Sequence, residues 1–470
     1  MGVQQAMGTS LFGGDVRVEQ GHVSVLNESA LRSERMDALV RDAVFGSGQT
    51  RDHARWLIWE IAQAVGVRPA SIHELYIARG RGETGGFTVP AINVRGMAYD
   101  TARSIFRTAL RQNAGAFILE IARSEIAYTE QRPAEYVAVL LAAALREGFR
   151  GPVFIQGDHF QVNAKKWVAD PTSEVAAVKQ LALEAITAGF YNIDVDTSTL
   201  VDLSKQSLEE QQRNNYEVCA DIISYIRETE PDDTTISIGG EIGEVGTENS
   251  TVPELRAFMD GLLRTIPQRA GNVPGLSKIS VQSGTSHGGV VLPDGSIADV
   301  KIDLDVLREL STVAREEYGL AGAVQHGAST LPENAFNNFP KVEVAEIHLA
   351  TNFQNILYEG MPRDLRDRIY GWLGENAKDE RKAKDTDEQF YYKTRKKALG
   401  PFKKELWEMP AGVKEQLARS YDKTFGFLFE QLAIGGTAEV VAKYVKPPRQ
   451  ERRAPGETVT AAPDDAELSD

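Results

Sequence analysis

Cysteine is nearly absent from this chain: Cys219 stands alone among 470 residues. That excludes an internal disulfide and a Cys-based zinc site, and gives no sign of an oxidising compartment. Long hydrophobic runs are missing too, and no stretch reaches the apolar length of a membrane span. The opening residues MGVQQAMGTSLFGGDVRVEQ lack a basic segment followed by an apolar run, so they do not read as a secretory signal. Positive charge is in deficit: 52 Lys and Arg face 67 Asp and Glu, a formal net charge of −15. Such a balance argues against nucleic acid or an anionic membrane as the main partner. It does not argue against a phosphorylated substrate, because a local site can oppose the global sign. Histidine is scarce as well, with seven in the chain. The expectation is a soluble cytoplasmic protein. Hydrophobic residues at 42% and charged residues at 25% are an ordinary globular mix that can build a sizeable core.

What is present is alternation. TRDHARWLIWEIAQAVGV carries Trp56, Ile58, Ile61 and Val65 at helical spacing, so residues 50–66 read as a helix ended near Gly66. From GGFTVPAINV onward, short runs rich in β-branched residues alternate with amphipathic stretches. The strand-like runs are FTVPAINV, AGAFILEIA, GPVFIQGDH, FYNIDVDT, TISIGGEIG, LSKISVQSGT, LAGAVQH and VEVAEIHLAT. Eight strands separated by helices predict an α/β fold of the (β/α)8 TIM barrel type, whose usual size is about 250 residues. The barrel is expected over residues 76–360, after an N-terminal helical extension over 1–75. A charged C-terminal helical appendix over 361–445 suits subunit contact. The Pro-rich, polar segment 446–470 has no apolar face and is expected to be disordered.

Active groups of a barrel gather at the C-terminal ends of its strands. Those ends carry Asp158-His159, then Asp194 and Asp196, then Glu241 within GGEIGEVG, then His287, His326 and His348. Four of the seven His therefore fall at four different strand ends. A lone strand-end His is most often a hydrogen-bonded structural residue, and GEIGEVG alone is a weak glycine pattern. Together, His and carboxylates at one barrel mouth have the composition of a Zn²⁺ or similar divalent site. In GAVQHGAST, residues 322–330, the small residues after His326 and the hydroxyl of Ser329 suit a phosphate held by backbone N–H groups.

The order of these motifs resembles the class II, metal-dependent ketose-bisphosphate aldolases, meaning the fructose- and tagatose-bisphosphate enzymes. GGFTVPAINV is similar to that family's GYAVPAFNV, GDHF to HxDH, GEIGEVG to AELGxxGG, SGTSHGG to GTxHG, AVQHGAST to LVLHGAS and HLATNF to NVATEL. The similarity runs over roughly residues 75–430. It implies that His159, His287 and His326 hold the catalytic metal, zinc or another divalent ion. It implies that Asp194 and Glu241 ligate a second or alternative metal position, and that Asp158 handles the proton at the aldehyde-derived oxygen. It places a phosphate on Gly288, Gly327, Ala328 and Ser329 with the segment His348, Leu349, Ala350 and Thr351. Lys393 or Arg395, in YYKTRKK, lies where the family's tail carries a phosphate-binding Arg.

Several positions depart from the pattern. Gln156 replaces the first His of HxDH, His348 replaces an Asn, and Ala122 falls where the family has a Ser. The usual proton-abstracting Glu falls on Asn249, leaving the adjacent Glu248 as the candidate base, in a loop over 246–255 expected to close over substrate. GDHFQVNAKKW is also similar to a segment of the accessory subunits of tagatose-bisphosphate aldolase. The resemblance thus implies a zinc-dependent lyase that cleaves a ketose bisphosphate, with fructose 1,6-bisphosphate first, to dihydroxyacetone phosphate and an aldehyde. The expected partners are this phosphorylated sugar and further copies of the chain, as a dimer or larger homo-oligomer. A sugar-phosphate epimerase on the same barrel and a non-catalytic accessory subunit are the alternatives. Triose release separates the first from the main reading, and metal content separates the second.

Overall fold

The computed structural model describes residues 11–243, 248–284, 292 and 302–456. Eight parallel strands form a closed barrel: β1 (Val89–Asn93), β2 (Ile118–Ala122), β3 (Gly151–Gln161), β4 (Asn192–Asp196), β5 (Ser237–Glu241), β6 (Lys278–Val281), β7 (Ala323–Gln325) and β8 (Glu346–Leu349). Closure comes from β8 pairing with β1, with Ile347 opposite Pro90. Each of the eight strand-like runs holds one of these strands, with β3 continuing two residues past its run, so the architecture is the (β/α)8 barrel that the alternation implied. Both faces of the strands are buried, one by the helices and one by the barrel interior, which is why they read as near-continuous apolar runs.

The interior is not purely apolar. Glu120, Gln156, Asp194, Lys278 and Glu346 are all buried strand residues. They stand in otherwise hydrophobic runs and form a charged layer beneath the mouth.

Strand β3 departs from regular geometry where it matters. Its first half pairs with an additional edge strand, Val67–Ala70, and its second half with β4. Between Gly157 and Phe160 the register shifts. Asp158 and His159 are the two residues inside that shift, and His159 adopts φ +42°, a left-handed conformation uncommon for a residue with a side chain. A bulge of this kind re-aims side chains at a barrel rim. Gly157 makes room for it, since a Cβ there would sit 2.5 Å from the Phe160 ring.

The N-terminal extension holds helices Glu34–Phe45 and Gly48–Ala64, as expected, and also a β-hairpin, Val16–Glu19 with His22–Val25. Gly66, at φ +77°, turns the chain from the second helix into the edge strand. In the C-terminal appendix, helix Ala411–Gln431 packs on barrel helix Ala98–Gln112. Arg107 and Arg111 reach Asp422 there, at 3.2 and 3.1 Å.

The tail corrects an expectation. Disorder was expected over 446–470, but the residues up to 453 run along helix Gly48–Ala64. Trp59 Nε1 donates to the Gln450 carbonyl at 2.6 Å and Trp56 Nε1 to the Arg452 carbonyl at 2.8 Å. Gln450 N donates to Gln63 and Arg452 N to Glu60. The Arg452 guanidinium stacks 3.3 Å from the Trp59 ring centroid. The segment needs no apolar face of its own, because polar side chains of the helix satisfy its backbone. Residues 457–470 lie outside the described part.

Candidate active site

His159 and His326 meet at the mouth. Their ring centroids lie 4.2 Å apart. His159 Nδ1 is 3.1 Å from Asp196 Oδ2 and 3.5 Å from Glu241 Oε2, and His326 Nε2 is 3.0 Å from Ser280 Oγ. One donor atom each of His159, Glu241 and His326 falls within 4.8 Å of the others. Two imidazoles and a carboxylate are a donor set for Zn²⁺ or a similar divalent ion, and three protein ligands leave a position open. The residues therefore fit a resident metal. His287 and Gly288 lie outside the described residues.

Asp158 and His348 stand beside this group. The His348 ring centroid is 4.0 Å from that of His326. His348 Nδ1 is 2.9 Å from Glu120 Oε2 and 3.3 Å from Asp158 Oδ1, and its Nε2 is 2.8 Å from Glu346 Oε1. Asp158, His326 and His348 make a second compact group of donor atoms, and Asp194, Glu346 and His348 a third. Asp194 therefore joins the layer below the mouth. There its Oδ1 lies 2.9 Å from Lys278 Nζ. Asp196, two residues on and on the same strand face, is the β4 carboxylate that reaches His159.

Crowding of carboxylates sets the proton affinities. Burial pushes Glu241 up to about 7, and the charge of Asp196 adds to the effect. Burial and then the Asp158 charge push Glu120 up to about 7. Burial raises Asp194 despite the Lys278 ammonium. Burial alone would lower His159, but the Asp158 charge and hydrogen bonds to Asp196 and Glu241 outweigh it and raise the imidazole well above its ordinary value. His348 is raised in the same way, with Glu120 and Asp158 overcoming burial. Asp196 stays low against burial, because His159, Ser198 and Gln161 hydrogen-bond its charged form. The raised groups hold protons that offset part of the clustered negative charge.

A cavity of about 1110 Å³ opens over these groups, and Arg95, Arg123, Lys166, Lys393 and Lys396 line it. Gly327, Ser329, Ala350 and Thr351 form its wall near the imidazoles. Gly327 takes φ +71°, which turns the chain after His326. Ser329 Oγ accepts from Ala350 N at 2.6 Å, tying the segments that follow β7 and β8 together. Ala328 and Leu349 are buried behind them. Helix Thr351–Gly360 starts here without a side-chain cap, so its first N–H groups suit an anion. Lys393 is exposed and pairs with Asp385 at 2.7 Å.

Glu248 is exposed and is not the cap of the following helix. Thr251 caps helix Val252–Ala270, and Glu254 returns to the Thr251 N–H at 2.7 Å in a capping box. Ser250 N bonds the Gln282 carbonyl at 2.8 Å, which anchors this end of the expected loop. Its residues 246 and 247 lie outside the described part.

Motif reading passed over Glu120, Lys278 and Glu346, and gave Asp196 a strand-end place but no role. A signal existed: each is a charge inside an apolar strand run, ILEIA, NIDVD, LSKISV or VAEIHL. Such charges are rarely buried unless paired.

The chain matches the family described as fructose-bisphosphate aldolase class-II over residues 80–407, and it belongs to that family. Among curated proteins none matches it. Among solved structures, a probable tagatose 6 phosphate kinase from Sinorhizobium meliloti 1021 superposes with a TM-score of 0.51 at 15% identity, covering 76% of this chain and 99% of that one. This likeness supports the fold. A fructose-bisphosphate aldolase from Campylobacter jejuni gives 0.47 at 17% identity, covering 79% and 97%. The YdjI aldolase from Escherichia coli K12 gives 0.46 at 11%, covering 78% and 99%.

Proposed function

We propose that this chain is a divalent-metal-dependent lyase, with zinc as the first candidate, that reversibly cleaves a ketose bisphosphate to dihydroxyacetone phosphate and an aldehyde. Fructose 1,6-bisphosphate is the first substrate to test. The observation that carries this reading is the convergence of His159, Glu241 and His326 beside a roomy cavity with a phosphate-suited wall. His159, Glu241 and His326, with His287, would hold the metal. A bound divalent ion supplies Lewis-acid polarisation of the ketose carbonyl and its neighbouring hydroxyl, so no Schiff base is needed.

The remaining work falls to the chain. Gly327, Ala328 and Ser329, with the start of helix Thr351–Gly360, hold the triose phosphate by backbone donors and fix its carbon skeleton over the imidazoles. Asp158, 3.3 Å from His348 Nδ1 and facing the cavity, carries the proton at the aldehyde-derived oxygen. Glu248 is the candidate that takes the carbon-bound proton. Lys393 and its neighbour Lys396 offer cations for the distal phosphate. Metal analysis of the purified chain, combined with cleavage assays on fructose and tagatose bisphosphates, tests the reading. Bound metal with triose release supports it, bound metal without triose release points to an epimerase, and neither points to an accessory subunit.

A further inference from the structure

The charged layer beneath the mouth has no part in the reaction just described. Lys278 Nζ lies 2.5 Å from Glu346 Oε1, 2.9 Å from Asp194 Oδ1 and 2.7 Å from Gln156 Oε1, and the side chain is 1% exposed. Gln156 Nε2 donates to Glu346 at 2.9 Å and Glu120 at 3.1 Å. The Tyr76 hydroxyl donates to the other Glu346 oxygen at 2.5 Å. The donor atoms of Asp194, Glu346 and His348 lie within 4.8 Å of one another, as do those of His159, Glu241 and His326 at the mouth. Two buried carboxylates this close need a cation between them. In the mouth group, on the reading above, a divalent ion supplies it. In the lower group an ammonium on a side-chain tether does.

We infer that Lys278 is a built-in cation in a second cation seat of the barrel, so that the chain carries one exchangeable divalent ion instead of two, and that Lys278 is the positioning residue that sets His348 against Asp158. This rests on the reading that the mouth holds a divalent ion. The positioning runs through Glu346. Lys278, Gln156 and Tyr76 fix that carboxylate, which faces His348 Nε2 at 2.8 Å. The opposite ring nitrogen, Nδ1, is then turned to Asp158 and Glu120. A carboxylate that holds one imidazole nitrogen decides where the other points. A tethered ammonium cannot dissociate, so this lower seat keeps its charge when the exchangeable ion is stripped from the mouth.

Cobalt(II) alone is the probe, added to the chelator-stripped full chain and followed by equilibrium dialysis and by absorption titration. The wild type should take one ion. Lys278→Ala opens the lower seat and should take two, and adding Asp194→Asn should return it to one. Proton exchange on dihydroxyacetone phosphate should fall in Lys278→Ala and recover as the second ion binds. Two ions in the wild type, or no extra ion in Lys278→Ala, overturns the inference. So does a Lys278→Ala chain that fails to fold even with cobalt present. A fall in exchange without recovery makes Lys278 structural and removes the positioning role. A wild type that binds no ion overturns the metal-dependent reading itself, and an ion gained by Lys278→Ala would then still support the lower seat.

Discussion

The mouth of the barrel and the layer beneath it are built from similar residue types, yet they are balanced differently. At the mouth, His159, Glu241 and His326 converge beside the cavity, and the proton affinities of His159 and Glu241 are both raised. One layer down, Asp194 and Glu346 converge on Lys278, and Gln156 and Tyr76 complete their hydrogen bonds. The upper layer is open to an exchangeable ligand and the lower one is closed. Substitutions above should therefore cost binding and turnover, and substitutions below should cost stability.

The largest expected effect is that of His326→Ala. It removes the imidazole that faces both His159 and His348. Divalent-ion affinity should fall by more than about 100-fold, the upper range for partners that only support a ligand, while circular dichroism stays native. An unchanged cobalt isotherm would remove His326 from the mouth site. Asp158→Asn should follow, lowering turnover by about 10²–10⁴-fold, the usual worth of a positioned proton carrier. Steady-state cleavage kinetics measure it, and wild-type turnover would take Asp158 out of the mechanism.

Lys278→Met tests the closed layer. It leaves buried carboxylates without their cation and should destabilise by about 3–5 kcal/mol in urea unfolding. His159→Asn should cost far less, since Asn tolerates the left-handed backbone that His159 adopts at φ +42°. Equal losses in the two variants would erase the contrast between the layers.

The pH dependence of stability sharpens the same contrast. With no divalent ion present, Glu120 and Glu241 titrate near 7 in the folded chain, against 4.5 ordinarily. The folded state then holds more protons than the unfolded state between these values. Stability therefore falls as pH rises through that window, and the raised His159 and His348 extend the fall to higher pH. A divalent ion takes the place of those protons, so its binding strengthens over the same range and opposes the slope. Urea unfolding at about pH 5 and about pH 8, with chelator and then with cobalt, measures both signs. Stability that rises with pH in chelator would contradict this account.

The smallest effect belongs to Glu248→Gln. The residue is exposed and the helix cap is Thr251 with Glu254, so stability should change by no more than about 0.5 kcal/mol. If Glu248 is the base, solvent deuterium exchange into dihydroxyacetone phosphate should be lost while the substrate still binds. Unchanged exchange would place the base elsewhere.

Much of the barrel was legible in the chain itself. Alternation located all eight strands, because burial on both faces forces apolar runs of strand length between amphipathic helices. Strand-end position located Asp158, His159, Glu241, His326 and His348, because a parallel barrel brings the same end of every strand to one mouth. What only the tertiary structure decided is which of these groups meet, and what lies under them. Lys278 finds Gln156 across 122 residues and Glu346 across 68, and that pairing depends on strand register and on closure of β8 onto β1. The bulge that aims His159 depends on the edge strand Val67–Ala70 and β4 sharing one side of β3. The tail strap depends on polar side chains of a helix nearly four hundred residues earlier. Periodicity is a local property that a sequence displays directly. Charge compensation is a distance between strands, and it exists only once the barrel has closed.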